Sequence, residues 1–126
     1  VLPAQARLRR RPEFSAVVRS GRRAGRPTMV LHYLPERPAQ PAGDLASPPV
    51  ARAGFVVGKT VGNSVVRHRV TRRLRAVVRD ELDRLPSGSD LVVRARPEAA
   101  DADFAALHRD LAKGLDRLLG DRVPSR

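Results

Sequence analysis

The sequence predicts an α+β sandwich, a single small sheet with helices packed on it, and three observations lead there. The chain has 126 residues, 41% of them hydrophobic, which suits one domain with one core spanning 1–126. Helix-period and strand-period apolar runs alternate in the order α-β-β-α-β-α, and two strand-like runs adjoin without a helix between them, the mark of α+β rather than strictly alternating α/β. No internal repeat is present, and aromatic residues make up only 3%, so aliphatic side chains must supply the packing.

Taken in order, residues 1–10 read as an extended N-terminal arm. Pro12 suits a helix first turn, and Phe14, Val17 and Val18 recur at the spacing of a buried helical face, ending near Gly21. Residues 21–27 (GRRAGRP) read as a basic loop and residues 28–34 (TMVLHYL) as a strand. Residues 35–51 contain five prolines and read as a long surface loop. Residues 52–58 (RAGFVVG) give a second strand, followed by a tight turn through Gly62 and Asn63.

The longest helical pattern covers 64–85, capped by Asn63 or Ser64 and closed by Pro86, Ser87 and Gly88. Residues 90–96 (DLVVRAR) form a further strand, stopped by Pro97. A last helix over 101–119 sets Phe104, Leu107, Leu111, Leu115 and Leu118 along one face, with Asp101 or Asp103 at its N-terminus. Residues 120–126 are a C-terminal tail.

Charge is the strongest functional signal. The formal net charge is +12, and arginine outnumbers lysine 23 to 2. Residues 1–79 hold 17 basic and 3 acidic residues, a net of +14, whereas residues 80–126 hold 8 and 10, a net of −2. Such a surplus repels itself in a compact chain, and its concentration in one part points to a polyanionic partner.

The long helix localises that surplus. At 100° per residue from Val66, Val77, Val70, Leu74, Leu85 and Val78 fall between about 20° and 120°, the core face. Arg75, His68, Arg79, Arg72 and Arg69 fall between about 180° and 300°, with Arg73 at the border and Arg67 near 100°, where the helix end can release it toward a groove. No acid interrupts the stripe until Asp80. Like charges three and four apart destabilise a helix by a few tenths of a kcal/mol per pair, and Arg67 and Arg69 lie in the first turns, where the dipole disfavours cations. A face that breaks two local preferences is better explained by an absent anion than by solvation. Nothing in it matches a helix that reads a DNA groove, so backbone and shape recognition of structured RNA is the better match.

Other chemistries find less support. The chain has no cysteine, which removes disulfides and cysteine-ligated zinc. Gly58-Lys59-Thr60 resembles the end of a phosphate-binding loop, but the required glycine at position 53 is Ala53. His32, His68 and His108 show no metal spacing, and ordinary structural roles are expected for His32 and His108. Asp80, Glu81 and Asp83 are adjacent helix-end acids, usually solvated or paired. No metal site is expected in the protein. No apolar run of signal-peptide or membrane-spanning length occurs, so a cytoplasmic protein is expected. A membrane-surface role is not expected, because the basic helix commits its apolar face to the core, and no obligatory protein partner is evident.

The stretch from Lys59 through Gly62-Asn63 to Arg67-His68-Arg69 and on to Arg72, Arg73 and Arg75 resembles the signature of the bacterial ribonuclease P protein family. His68 stands where that family commonly has Asn. Arg7 to Phe14 resembles the family's arm and first helix, and Asp90 to Pro97 its final strand. The similarity runs from about residue 5 to 119, with a Pro-rich loop longer than is typical.

The resemblance implies a compact sandwich like ribosomal protein S5 domain 2, with a left-handed β-α-β crossover and one further short strand, giving the order α-β-β-(β)-α-β-α. It implies a subunit that binds a catalytic RNA and the 5′ leader of precursor tRNA, with hydrolysis performed by the RNA and its magnesium ions and no cofactor held by the protein alone. Lys59, Asn63, Arg67, His68, Arg69, Arg72, Arg73 and Arg75 are the implied contacts to the RNA. Phe14, Val18, Met29, Lys59, Arg94 and Arg96 are candidates for a leader cleft, and Arg7, Arg9, Arg10 and Arg11 for contacts from the arm. The alternatives are a ribosomal or other structured-RNA-binding protein with no role in cleavage, and a nonspecific chromosomal DNA binder.

Overall fold

The computed structural model describes residues 6–8, 10–36 and 50–119. The elements are α1 (Arg11–Ser20), β1 (Arg22–Gly25), β2 (Met29–Leu34), β3 (Arg52–Val56), α2 (Ser64–Glu81), β4 (Asp90–Ala95) and α3 (Phe104–Leu118). The four strands form one sheet in the order β1-β2-β4-β3. β2 pairs antiparallel with β1 and β4, while β3 and β4 run parallel, so α2 is the crossover between them.

Strand alternation decides what each face carries. Met29, Leu31, Tyr33, Leu91, Val93 and Ala95 share the main core with Val70, Leu74, Val77 and Val78 of α2 and Leu107, Leu111, Leu115 and Leu118 of α3. The opposite face packs a smaller cluster, in which Leu8, Val17 and Val92 are buried with Phe14 and Leu34 at the margin. The result is a sheet fully covered by two helices on one side and partly covered by α1 on the other.

Local chemistry sets the helix starts. Asn63 accepts the Val66 amide at 3.0 Å, and Asp103 accepts the Ala106 amide at 2.8 Å. Each satisfies an amide that has no intrahelical partner. Gly88 takes φ 84° in the turn before β4, a conformation glycine reaches without steric cost.

Several boundaries differ from the expected ones. The segment 21–27 is not simply a loop: Arg22–Gly25 is β1, an edge strand in which Ala24 alone is buried. One small apolar residue among arginines gives almost no periodic signal, so only the pairing with β2 makes it a strand. This is the further strand that the resemblance implied. α2 stops at Glu81 and gives way to a 3-10 turn at Leu82–Arg84, which still delivers Leu85 to the interior. α3 starts at Phe104 rather than 101, because Pro97–Asp101 forms a separate 3-10 turn. Phe104, expected on the core face, is 44% exposed. As the first helical residue it stacks on the His108 ring one turn later, with centroids 6.2 Å apart. Arg9, most of the Pro-rich segment and the tail at 120–126 lie outside the described residues.

Candidate nucleic-acid interface

Two basic surfaces emerge. The first is the outward face of α2. His68, Arg72 and Arg79 are exposed, while Arg67, Arg69 and Arg75 keep part of their stems against the protein. None of these five arginines forms an ion pair with any described residue. The carboxylates seen in ion pairs with arginine hold other residues: Glu81 and Asp116 hold Arg84 at 3.2 and 2.6 Å, Asp110 faces Arg26, and Asp90 and Glu13 hold Arg52. The stripe is therefore electrostatically uncompensated at short range. Its N-terminal part borders a shallow depression lined by Ser64, Val65, His68, Arg69 and Arg72, and Val65 there is 71% exposed.

Two residues expected in this surface have internal tasks. Arg73 donates to the Ala102 carbonyl at 3.0 Å, tying α2 to the lead-in of α3. The Asn63 side chain is taken up by the helix cap. Arg67 lies between the two situations, with its Nε enclosed and without a hydrogen-bond partner among the described residues. Lys59 is exposed in the turn that leads to α2.

The second surface is the sheet face beside α1. By alternation and register it carries Val30, His32 and Arg94 in the centre, Arg23 and Gly25 on β1 and Val56 on β3, with Gly54 beneath Phe14; Val30 and His32 are themselves nearly buried, and Arg94 is exposed. Phe14 and Val18 of α1 stand at its side. Val18 is exposed, whereas Phe14 is half-buried and its ring rests on Gly54. A Cβ at Gly54 would come within 2.4 Å of the Phe14 ring, so the glycine is what lets the ring reach the sheet.

Met29, a cleft candidate by resemblance, is corrected by the register. It pairs with Ala95 and is completely buried on the opposite face beneath α2 and α3. Its neighbour Val30 occupies the open face. Arg94 is exposed there, and Arg96 is half-buried with its Nη2 beside Gly25.

His32, for which the sequence suggests an ordinary structural role, also lies on this face. It sits opposite Arg23 in β1, on the same face as Arg94, and is 7% exposed with Nε2 lacking a partner among the described residues. Burial, then Arg94 and Arg23, push its pKa below the ordinary histidine value. This direction favours the neutral ring, with one donor and one acceptor, among these arginines. Its alternation with Val30 and the strand bearing Arg94 are both legible in the sequence, but the pairing that sets the two strands side by side is not.

The arm follows the outer edge of β3. Arg7 bridges Ala53 in parallel, and the Leu8 amide donates to the Ala53 carbonyl at 2.9 Å. Arg10 and Arg11 are exposed where α1 begins.

A basic helix face, a basic open sheet face and a small α+β frame together define an RNA-binding protein. A family model described as Ribonuclease P matches residues 2–119. The ribonuclease P protein component of Streptomyces bikiniensis is 55% identical over 120 residues, covering 95% of this chain and 97% of its own. That of Corynebacterium diphtheriae is 47% identical over 118 residues, covering 94% and 97%. The chain belongs to the ribonuclease P protein family, the protein subunits of the ribonucleoprotein endonuclease that processes the 5′ leader of tRNA. Its partner is accordingly the ribonuclease P RNA.

The solved structures agree on the fold. The RNase P protein from Thermotoga maritima superposes with a TM-score of 0.67 at 24% identity, covering 94% of this chain and 98% of that one. A mutant RNase P protein from Staphylococcus aureus, with defective mRNA degradation activity, gives 0.72 at 20% identity, covering 89% and 86%.

Proposed function

We propose that the outward face of α2 docks on the ribonuclease P RNA while the open sheet face beside α1 holds the single-stranded 5′ leader of precursor tRNA. The carrying observation is the row Arg67, Arg69, Arg72 and Arg75, which no described carboxylate neutralises. Guanidinium groups fit phosphate oxygens two at a time, and RNA contact would relieve the mutual repulsion that the free helix bears.

On the second surface, Arg94 and Arg96 supply cations, Val18 apolar contact, and the half-buried Phe14 a ring against which an unpaired base can lie. Lys59 extends the surface toward α2. Arg10 and Arg11, together with Arg7 and Arg9 of the arm, add RNA contacts at the other end of α1. In this reading the RNA performs the hydrolysis, and the magnesium ions sit with it. Among the described residues no group of three His, Asp or Glu is arranged to hold a metal ion. Membership of the ribonuclease P family supports a cytoplasmic location. None of the described helices is long and apolar enough to cross a membrane.

The test is reconstitution with the catalytic RNA at low magnesium, comparing precursor and mature tRNA. Arg94→Ala should weaken binding of the leader-bearing precursor more than that of mature tRNA. Equal losses for both would remove the leader from this face.

A further inference from the structure

Asp110 lies on α3, behind the sheet as seen from the open face, and is 1% exposed. Oδ2 accepts the Thr28 amide at 3.0 Å and the Thr28 hydroxyl at 2.6 Å, and Arg26 Nη2 stands 3.5 Å from Oδ1. Thr28 is also joined to the open face, because its carbonyl accepts the Arg96 amide at 2.9 Å. In the same turn the Arg26 amide donates to the Met29 carbonyl at 2.7 Å. A buried carboxylate thus grips the β1–β2 turn from inside, and that turn grips the residue bearing the last arginine of β4.

Burying a carboxylate costs several kcal/mol, and apolar replacements of buried charged groups are often neutral or stabilising. A charge kept in the middle of a packed helix face therefore points to a geometric role. Burial alone would raise the Asp110 pKa, but the Thr28 hydroxyl and amide, with Arg26 and Arg109, outweigh it and hold it below the ordinary carboxyl value. That direction favours the ionised carboxylate, the form that accepts both hydrogen bonds from Thr28. The Arg96 side chain lies close by: its Nη2 is 3.5 Å from where a Cβ on Gly25, the residue that leads into this turn, would stand.

We propose that Asp110 is a positioning residue for RNA binding, acting through Thr28 to set Arg96 at the β1–β2 end of the open sheet face. The proposal rests on the reading of that face as the leader surface.

The experiment uses the full chain reconstituted with its catalytic RNA and reads the leader increment, the ratio of affinities for precursor and mature tRNA. Asp110→Asn and Thr28→Val should each reduce that ratio by about fivefold, on the scale of one charge-assisted contact. Affinity for the catalytic RNA, set by α2, should be unchanged. Thr28→Ser keeps the hydroxyl donor and should restore the increment. The decisive readout is a double-mutant cycle. The loss from Asp110→Asn should largely vanish when Arg96→Ala is already present, because both remove the same contact. A preserved increment in Asp110→Asn, or full additivity with Arg96→Ala, overturns the proposal while the leader surface stands. If Asp110→Asn does not fold, the Thr28→Val and Thr28→Ser pair carries the same comparison. An unmodified protein with no leader increment overturns both readings.

Discussion

Arg52 closes a two-point contact on Asp90, with Nε and Nη2 each 2.9 Å from a carboxylate oxygen, and its third nitrogen reaches Glu13 of α1 at 3.0 Å. Glu13 in turn accepts the Arg10 amide at 3.0 Å. The strand end, the start of α1 and the arm are thereby joined through one guanidinium. The Asp90 bond, ahead of the Glu13 contact, raises the Arg52 pKa despite partial burial. Arg52→Met should destabilise the fold by about 3 kcal/mol, since a nearly buried carboxylate loses two charge-assisted bonds. Glu13→Gln, nearer solvent, should cost less than about 1 kcal/mol. Urea unfolding of both variants checks the order, and a larger loss in Glu13→Gln would contradict it.

On the arginine face, Arg69→Ala and Arg72→Ala should weaken assembly with the catalytic RNA. Each should reduce the slope of log affinity against log salt by up to about 0.9. Thermal stability should hold or rise slightly, because a like-charge neighbour is removed. A salt series by filter binding measures the slope, and an unchanged slope would take that residue out of the interface.

The seat of Phe14 can be probed from the other side. Gly54→Ala puts a methyl within 2.4 Å of the Phe14 ring and 2.8 Å of the Leu8 Cβ. Overpacking of this kind costs about 1–3 kcal/mol. α1 and the arm must shift together, so the unfolding midpoint and leader binding should fall in parallel. The double variant Gly54→Ala with Phe14→Leu should recover part of the stability.

His32 links stability to pH in a defined direction. Its folded pKa lies below the unfolded value of about 6.5, so below that point the unfolded chain binds a proton that the folded chain refuses. The stabilisation is complete above about pH 6.5 and declines as pH falls toward the folded pKa, at no more than about 1.4 kcal/mol per pH unit for one proton. His32→Gln removes this titration and should flatten that part of the curve. Equal slopes in both proteins between pH 7 and 5 would show that His32 does not titrate this way.

Much of this arrangement was legible in the sequence. The core face of α2 falls where the angles put it, with Val70, Leu74, Val77, Val78 and Leu85 all buried. The arginine stripe could be read for the same reason: a helix fixes side-chain directions by spacing alone. The open sheet face was harder, because a strand reveals which residues share a face but not which strand lies beside it. Met29 is a cleft candidate through the resemblance alone, and only the register shows that its side of β2 faces α2 and α3. β1 escaped because Arg22 and Arg23 look like loop chemistry until their register with Tyr33 and His32 is known. The Asp110–Thr28 bond joins residues 82 positions apart, and no local pattern announces it.

The strip of main chain at Arg7 and Leu8 has a further consequence. A sheet exposes unpaired backbone groups at both borders, and each border is a template for unwanted pairing with another chain. Here the β3 border is partly sealed by the chain's own N-terminal segment. The β1 border is four residues long and carries two exposed arginines, which repel an identical neighbour. Shortening the chain through residue 8 would unmask the β3 border and the buried Leu8 contact at once, so such a truncation should be more prone to self-association than a charge substitution within the arm.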